Sequence, residues 1–128
     1  MPELSPEAAR DFVRHCHDAV SQPGYGYLLA GDLAGPVEQF VPITTVLGPY
    51  RFDPVELDGV KKKNHPHHRY VIGVAFARPG GPVWPSVDDV LAAAQLDPLG
   101  TLMIVILDPD TGELGRFRIL DGHVEALS

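Results

Sequence analysis

The sequence holds one cysteine, Cys16, in 128 residues. No intrachain disulfide can form, and no cysteine-rich zinc site is available. A reducing compartment suits that usage. Positive charge is scarce as well: 10 Lys and Arg stand against 17 Asp and Glu, for a formal net charge of −7. Binding a phosphate backbone needs clustered Lys and Arg, so no nucleic-acid partner is expected. The one basic run, Lys61-Lys62-Lys63, reads as a solvated helix end, where cations are favoured by the macrodipole. Apolar runs are short too. The longest spans Leu102 to Leu107, far below the ~20 residues of a membrane span. The first turns of the chain carry Glu3, Glu7, Arg10, Asp11, Arg14 and Asp18, with no apolar signal-peptide core. The expectation is a cytoplasmic protein with neither a nucleic-acid nor a membrane partner.

Hydrophobic content of 45% and charged content of 21% are ordinary for a globular chain. The length suits a single domain, 1–128, around one sizeable core. The 13 prolines and 13 glycines fall mostly between periodic segments and predict short elements joined by defined turns. Ser5-Pro6-Glu7 reads as a helix start, with Ser5 as N-cap and Pro6 at the first helical position. Ala9, Phe12, Val13, Cys16 and Val20 follow at helical spacing as one apolar stripe. Tyr25 to Ala30 predicts a buried strand, and Val37 to Val46 its hairpin partner, with Val37, Gln39, Val41 and Ile43 on one face. Asp53-Pro54-Val55-Glu56 predicts a second helix start, with Glu56 closing a capping box, and that helix ends near Lys63. Arg69 to Ala77 is a strand, 78–85 a Gly- and Pro-rich loop, and Ser86 to about Gln95 a third helix. Thr101 to Leu107 has the continuous apolar run of a strand buried on both faces. Leu114 to Leu120 pairs back after the Asp108-Pro109-Asp110-Thr111-Gly112 turn, and Val124 to Leu127 is a last short strand. The sum is an α/β (α+β) chain: a mixed sheet flanked by helices.

One segment has an unusual composition for its spacing. Phe76-Ala77-Arg78-Pro79 is followed, after six intervening residues, by Ser86 and then by Asp89. With Tyr27-Leu28-Leu29-Ala30-Gly31, Phe52 to Leu57, Val71-Ile72-Gly73-Val74 and the hairpin around Asp121-Gly122, it resembles the JAMM/MPN domain family of the bacterial JAB metallopeptidase type, across nearly the whole chain. That resemblance implies a cytidine-deaminase-like fold. Active members of the family are zinc isopeptidases or hydrolases of related bonds. Their motif is His-x-His-Pro, six residues, Ser, two residues, Asp, with a Glu at the start of the first strand. Pro79, Ser86 and Asp89 match. The two histidine positions fall on Phe76 and Arg78, and the Glu position falls on Gly24, or on Pro23 in a register shifted by one.

A catalytic zinc of this type takes three protein ligands and a water. A phenyl ring offers no lone pair, and a guanidinium is permanently cationic with no acceptor. Without the Glu, no general base stands ready for the water's proton. No cofactor is therefore expected, and the resemblance implies a degenerate member that serves as a protein-interaction or scaffolding module, with a protein partner or a second copy of itself. The alternative is a divergent zinc-dependent isopeptidase or amide hydrolase with a rearranged site. Ser86 and Asp89 also read as a capping-box-like helix start, vestigial as catalytic residues. The spacing suggests an Arg78–Asp89 salt bridge filling the vacated metal position. Trp84 reads either as a plug over that position or as an exposed anchor for a partner, and Arg78 and Trp84 are the candidate binding residues.

Other histidines do not rebuild a site. His65, His67 and His68 open the strand whose far end is Phe76, and about eight residues at ~3.3 Å each separate them from it. They read as a loop surface with incidental metal affinity. His15 and His17 diverge on a helix. No nucleophile elbow, phosphate loop, dinucleotide fingerprint or deaminase cysteine pair is present. Cys16, on the apolar stripe, reads as core.

Overall fold

The computed structural model describes residues 4–18, 25–32, 36–42, 54–78, 80, 82–96, 100–120 and 122–127. The elements are α1 (Pro6–Asp18), β1 (Tyr25–Ala30), β2 (Gln39–Pro42), α2 (Pro54–Asn64), a 3₁₀ turn (His65–His67), β3 (Tyr70–Ala77), α3 (Val87–Leu96), β4 (Met103–Leu107), β5 (Leu114–Leu120) and β6 (His123–Ala126). Six strands form one sheet in the order β2-β1-β3-β4-β5-β6. β3 and β4 are parallel, joined through α3, and the other neighbouring pairs are antiparallel.

The central strands are buried on both faces, which explains their lack of polar alternation. All five residues of β4 are buried, as are the last seven of β3. Tyr27, Leu29, Val74, Phe76, Ile104, Ile106 and Phe117 face Leu57 of α2 and Ala93 of α3. Leu28, Ala30, Ala75, Ala77, Val105 and Leu107 face Ala8 and Phe12 of α1 on the opposite side. The Phe12 ring meets Phe40 of β2 at 5.0 Å.

The register between β1 and β3 shifts at Leu28/Leu29, leaving Ile72 unpaired as a bulge. Bulges re-aim side chains and bend strands. Next to it, Gly73 lies so close to β4 that a Cβ there would stand 2.6 Å from the Met103 carbonyl oxygen. Glycine at this place lets the parallel ladder start, and it starts at Gly73–Met103.

Two expectations need correction, and a third falls outside the described residues. Among the described side chains of α1 the buried positions are Ala8 and Phe12, while Ala9 is half-buried and Val13 exposed. Ser5 sets this phase: its Oγ accepts a hydrogen bond from the Ala8 amide at 3.1 Å, and its own amide is held at 2.7 Å by the Val37 carbonyl. The side chains of Cys16 and Val20 lie outside the description. In the predicted second strand, Val37 and Phe40 are the buried residues and Gln39 is exposed. Val37 is not yet in the pleat of β2; it bridges Leu4 instead, so strict alternation from Val37 fails. Residues 43–46 of that prediction lie outside the described residues. Finally, Glu56 Oε1 accepts a hydrogen bond from Tyr27 Oη at 2.8 Å, tying α2 to β1. Asp53, its proposed capping-box partner, lies outside the described residues.

The lysine run ends α2 as expected, exposed in its last turn. Lys62 pairs with Asp58 one turn earlier, and that hydrogen bond and charge hold its ammonium above the ordinary lysine value. Among the described residues no helix is long and apolar enough to cross a membrane.

Candidate functional site at the end of the third strand

Phe76 and Arg78 sit at and just past the C-terminal end of β3, beside its parallel neighbour β4. The Arg78 amide donates to the Leu107 carbonyl at 2.7 Å, continuing the ladder beyond the last strand residue. The strand pleat turns Phe76 inward, where its ring is buried with only 2% exposure. Arg78, two residues on, leans back over that ring, with its guanidinium carbon 5.3 Å from the ring centroid. This is a cation–π arrangement.

α3 supplies the other half. Asp89 accepts a hydrogen bond from the Ser86 amide at 2.8 Å, and the Asp89 amide donates to Ser86 Oγ at 3.1 Å. The two bonds form the reciprocal capping box suggested by the Ser-x-x-Asp spacing. They also fix the carboxylate in a buried position, 5% exposed. Arg78 Nη2 forms a salt bridge with Asp89 Oδ2, the same oxygen that caps the helix. Arg78 Nη1 donates to the Trp84 carbonyl at 2.7 Å. One guanidinium therefore joins the end of β3, the loop and the first turn of α3.

The loop between them lies on β5. A Cβ at Gly115 would stand 2.5 Å from the Val83 carbonyl oxygen, so a glycine is needed where the loop crosses the strand. Val83 packs on the core and Pro85 is buried. The Trp84 ring meets Phe117 edge-on at 4.9 Å yet remains 49% exposed. The Trp84 ring thus packs against Phe117 with about half of its surface in solvent, and it is the Trp84 backbone carbonyl, through Arg78 Nη1, that joins it to the Arg78–Asp89 bridge.

Gly24 lies outside the described residues, as does Pro79. Asp89, Ser86, Arg78, Phe76 and Trp84 are brought together, whereas His65, His67 and His68 stand at the opposite end of β3. Among the described residues no group of three or more His, Cys, Asp or Glu could hold a metal ion. One further residue belongs to this end of the sheet. Asp108, 5% exposed, receives the Asp110 amide at 2.9 Å and the Gly80 amide at 3.4 Å, which pins the loop after Arg78 to the β4–β5 turn. Sequence reasoning saw Asp108 only as a turn former; no signal in the chain marks its reach to Gly80.

The donor set does not fit a zinc ion. Phe76 presents carbon only, Arg78 presents a fixed positive charge, and one of the two Asp89 oxygens, Oδ2, is already engaged by a guanidinium and a backbone amide.

No protein-family model matches the chain, and no curated protein does. Solved structures do match. A solution structure of a protein from Desulfitobacterium hafniense superposes with a TM-score of 0.82 at 21% identity, covering 100% of this chain and 90% of that one. A crystal structure of a JAB1/MPN domain protein from Archaeoglobus fulgidus gives 0.64 at 12% identity, covering 98% and 94%. A solution structure of a protein from Salinibacter ruber gives 0.67 at 19%, covering 98% and 88%. The fold is JAB1/MPN-like: a six-stranded mixed sheet with helices on both faces. At these identities the likeness concerns the fold alone.

Proposed function

We propose that this chain is a JAB1/MPN-like domain without zinc-dependent hydrolase activity, acting through protein contacts. The observation that carries the reading is the Arg78–Asp89 salt bridge. It puts a permanent cation, bonded on both amino groups, where a hydrolase of this fold needs a metal. A cation so placed repels a divalent ion and occupies one oxygen of the remaining candidate ligand, Asp89.

The exposed apolar side chains beside that bridge support the interaction role. Val87 and Leu91 stand one turn apart on α3 with 76% and 60% exposure, and Trp84 precedes them in the loop. Trp is enriched at binding hot spots, and the aliphatic side chains next to it add apolar surface that a partner can cover. The partner is a second protein or another copy of this chain.

The test is capture from host cells with untagged or small-tagged protein, in parallel with a Trp84→Ala, Leu91→Ser double variant. A defined partner retained by the parent and lost by the variant is the expected result. Retention by both would remove this surface from the account. Turnover of an isopeptide substrate that disappears on Asp89→Asn would instead establish the hydrolase alternative.

A further inference from the structure

The opposite end of the sheet carries a second feature, independent of the reading above. The β3–β4 ladder begins only at Gly73–Met103, so residues 70–72 of β3 and residues 100–102 before β4 border a gap. A cavity of about 540 Å³ occupies this fork. Its size lies within the range of small-molecule pockets. Val71, Ile72 and Leu102 give it apolar walls, and His65 stacks edge-on against Tyr70 at 5.7 Å on one side.

The charged residues that line it among the described ones are all of one sign. Lys61 reaches it from the last turn of α2, Arg69 from the segment before β3, and Arg118 from β5. No acidic residue lines it among the described residues. Arg69 is paired with Glu38, which leaves further guanidinium donors on the same side chain. Arg118 Nε is buried and has no hydrogen-bond partner among the described residues. Glu125 lies across from Arg118 on β6, yet the two form no ion pair among the described residues. A buried guanidinium donor without an acceptor is costly and uncommon, and an acceptor in the cavity would satisfy it. In a chain with net charge −7, three cations converging on one cavity are not a consequence of bulk composition.

Gly100 shapes the wall. It has φ +62°, and a Cβ there would stand 2.8 Å from the Ile119 carbonyl oxygen. The backbone can hug β5 and leave the fork open only because no side chain intervenes.

We infer that the fork between β3 and β4 binds a small phosphomonoester, its phosphate held by Arg118, Arg69 and Lys61 and its apolar body by Val71 and Leu102. Three cations arriving from separate elements suit a tetrahedral dianion better than a planar carboxylate, which a single forked guanidinium satisfies.

The test is a titration of the isotopically labelled full chain at low ionic strength, followed by amide chemical shifts, with phenyl phosphate, inorganic phosphate and benzoate as probes. Saturable shifts at residues 70–72 and 100–102 are expected, with phenyl phosphate binding most tightly. Arg118→Gln should weaken phenyl phosphate by roughly tenfold or more, the scale of a lost charge-assisted hydrogen bond. Lys61→Gln, at an exposed helix position, should weaken it severalfold, and Lys62→Gln, which does not line the cavity, should leave it unchanged. If Arg118→Gln does not fold, Lys61→Gln decides alone. Non-saturating shifts, shifts confined to the lysine run, full affinity in Lys61→Gln, or tighter binding of benzoate than of phenyl phosphate would each overturn the proposal.

Discussion

Asp89 carries two tasks on one carboxylate: it caps α3 and neutralises Arg78. The two can be separated by substitution. Asp89→Asn keeps an oxygen for the Ser86 amide but removes the charge, while Asp89→Ala removes both. Asp89→Ala should therefore be less stable than Asp89→Asn by about 0.5–1.5 kcal/mol, the usual worth of a cap. Arg78→Met leaves the buried carboxylate without its cationic partner and should cost about 1–3 kcal/mol. A urea-denaturation double-mutant cycle on Arg78 and Asp89 checks this pairing: a coupling of about 1 kcal/mol or more is expected for a partly buried pair, and near-zero coupling would mean that the bridge is an exposed, solvent-screened contact.

The elements were legible wherever their signals were local. Ser5-Pro6 and Ser86-x-x-Asp89 announced the starts of α1 and α3, and Leu114–Leu120 matches β5 end to end. The continuous apolar run announced β4. What was not legible depends on contacts distant in sequence. The phase of α1 is fixed by the Val37 carbonyl, 32 positions away by residue number, so Ala8 rather than Ala9 faces the sheet. The cavity cations, Lys61, Arg69 and Arg118, lie on three elements and look like unrelated surface charges until the sheet brings them to one fork. The spacing of Arg78 and Asp89 was legible, because β3 and α3 are joined by a single loop. At this scale Gly73 is the sharpest test. Gly73→Ala forces a methyl against the Met103 carbonyl at the start of the β3–β4 ladder, and it should destabilise by ~1–3 kcal/mol. Gly59→Ala on α2, where nothing lies within 4 Å of the added Cβ, should stabilise slightly, by roughly 0.5–1 kcal/mol. Thermal melts of the two variants check both signs.

For the whole molecule, the sheet order and the superpositions place the chain in a JAB1/MPN-like fold, while the end of β3 carries chemistry unlike that of a zinc site. Fold and activity are separate properties, and here the residues at the site decide. Restoring ligands is a constructive check. In a Phe76→His, Arg78→His double variant the guanidinium is gone and two imidazoles join Asp89, so zinc affinity should rise by a factor of about ten or more over the parent. The most direct measurement is zinc content by elemental analysis of untagged parent protein after mild chelation. The account predicts well under about one zinc per four chains, because a structural or catalytic site needs three or four protein ligands. Any labile metal should vanish with substitution of His65, His67 and His68. One tightly held zinc per chain, lost on Asp89→Asn and kept when those three histidines are replaced, would contradict it.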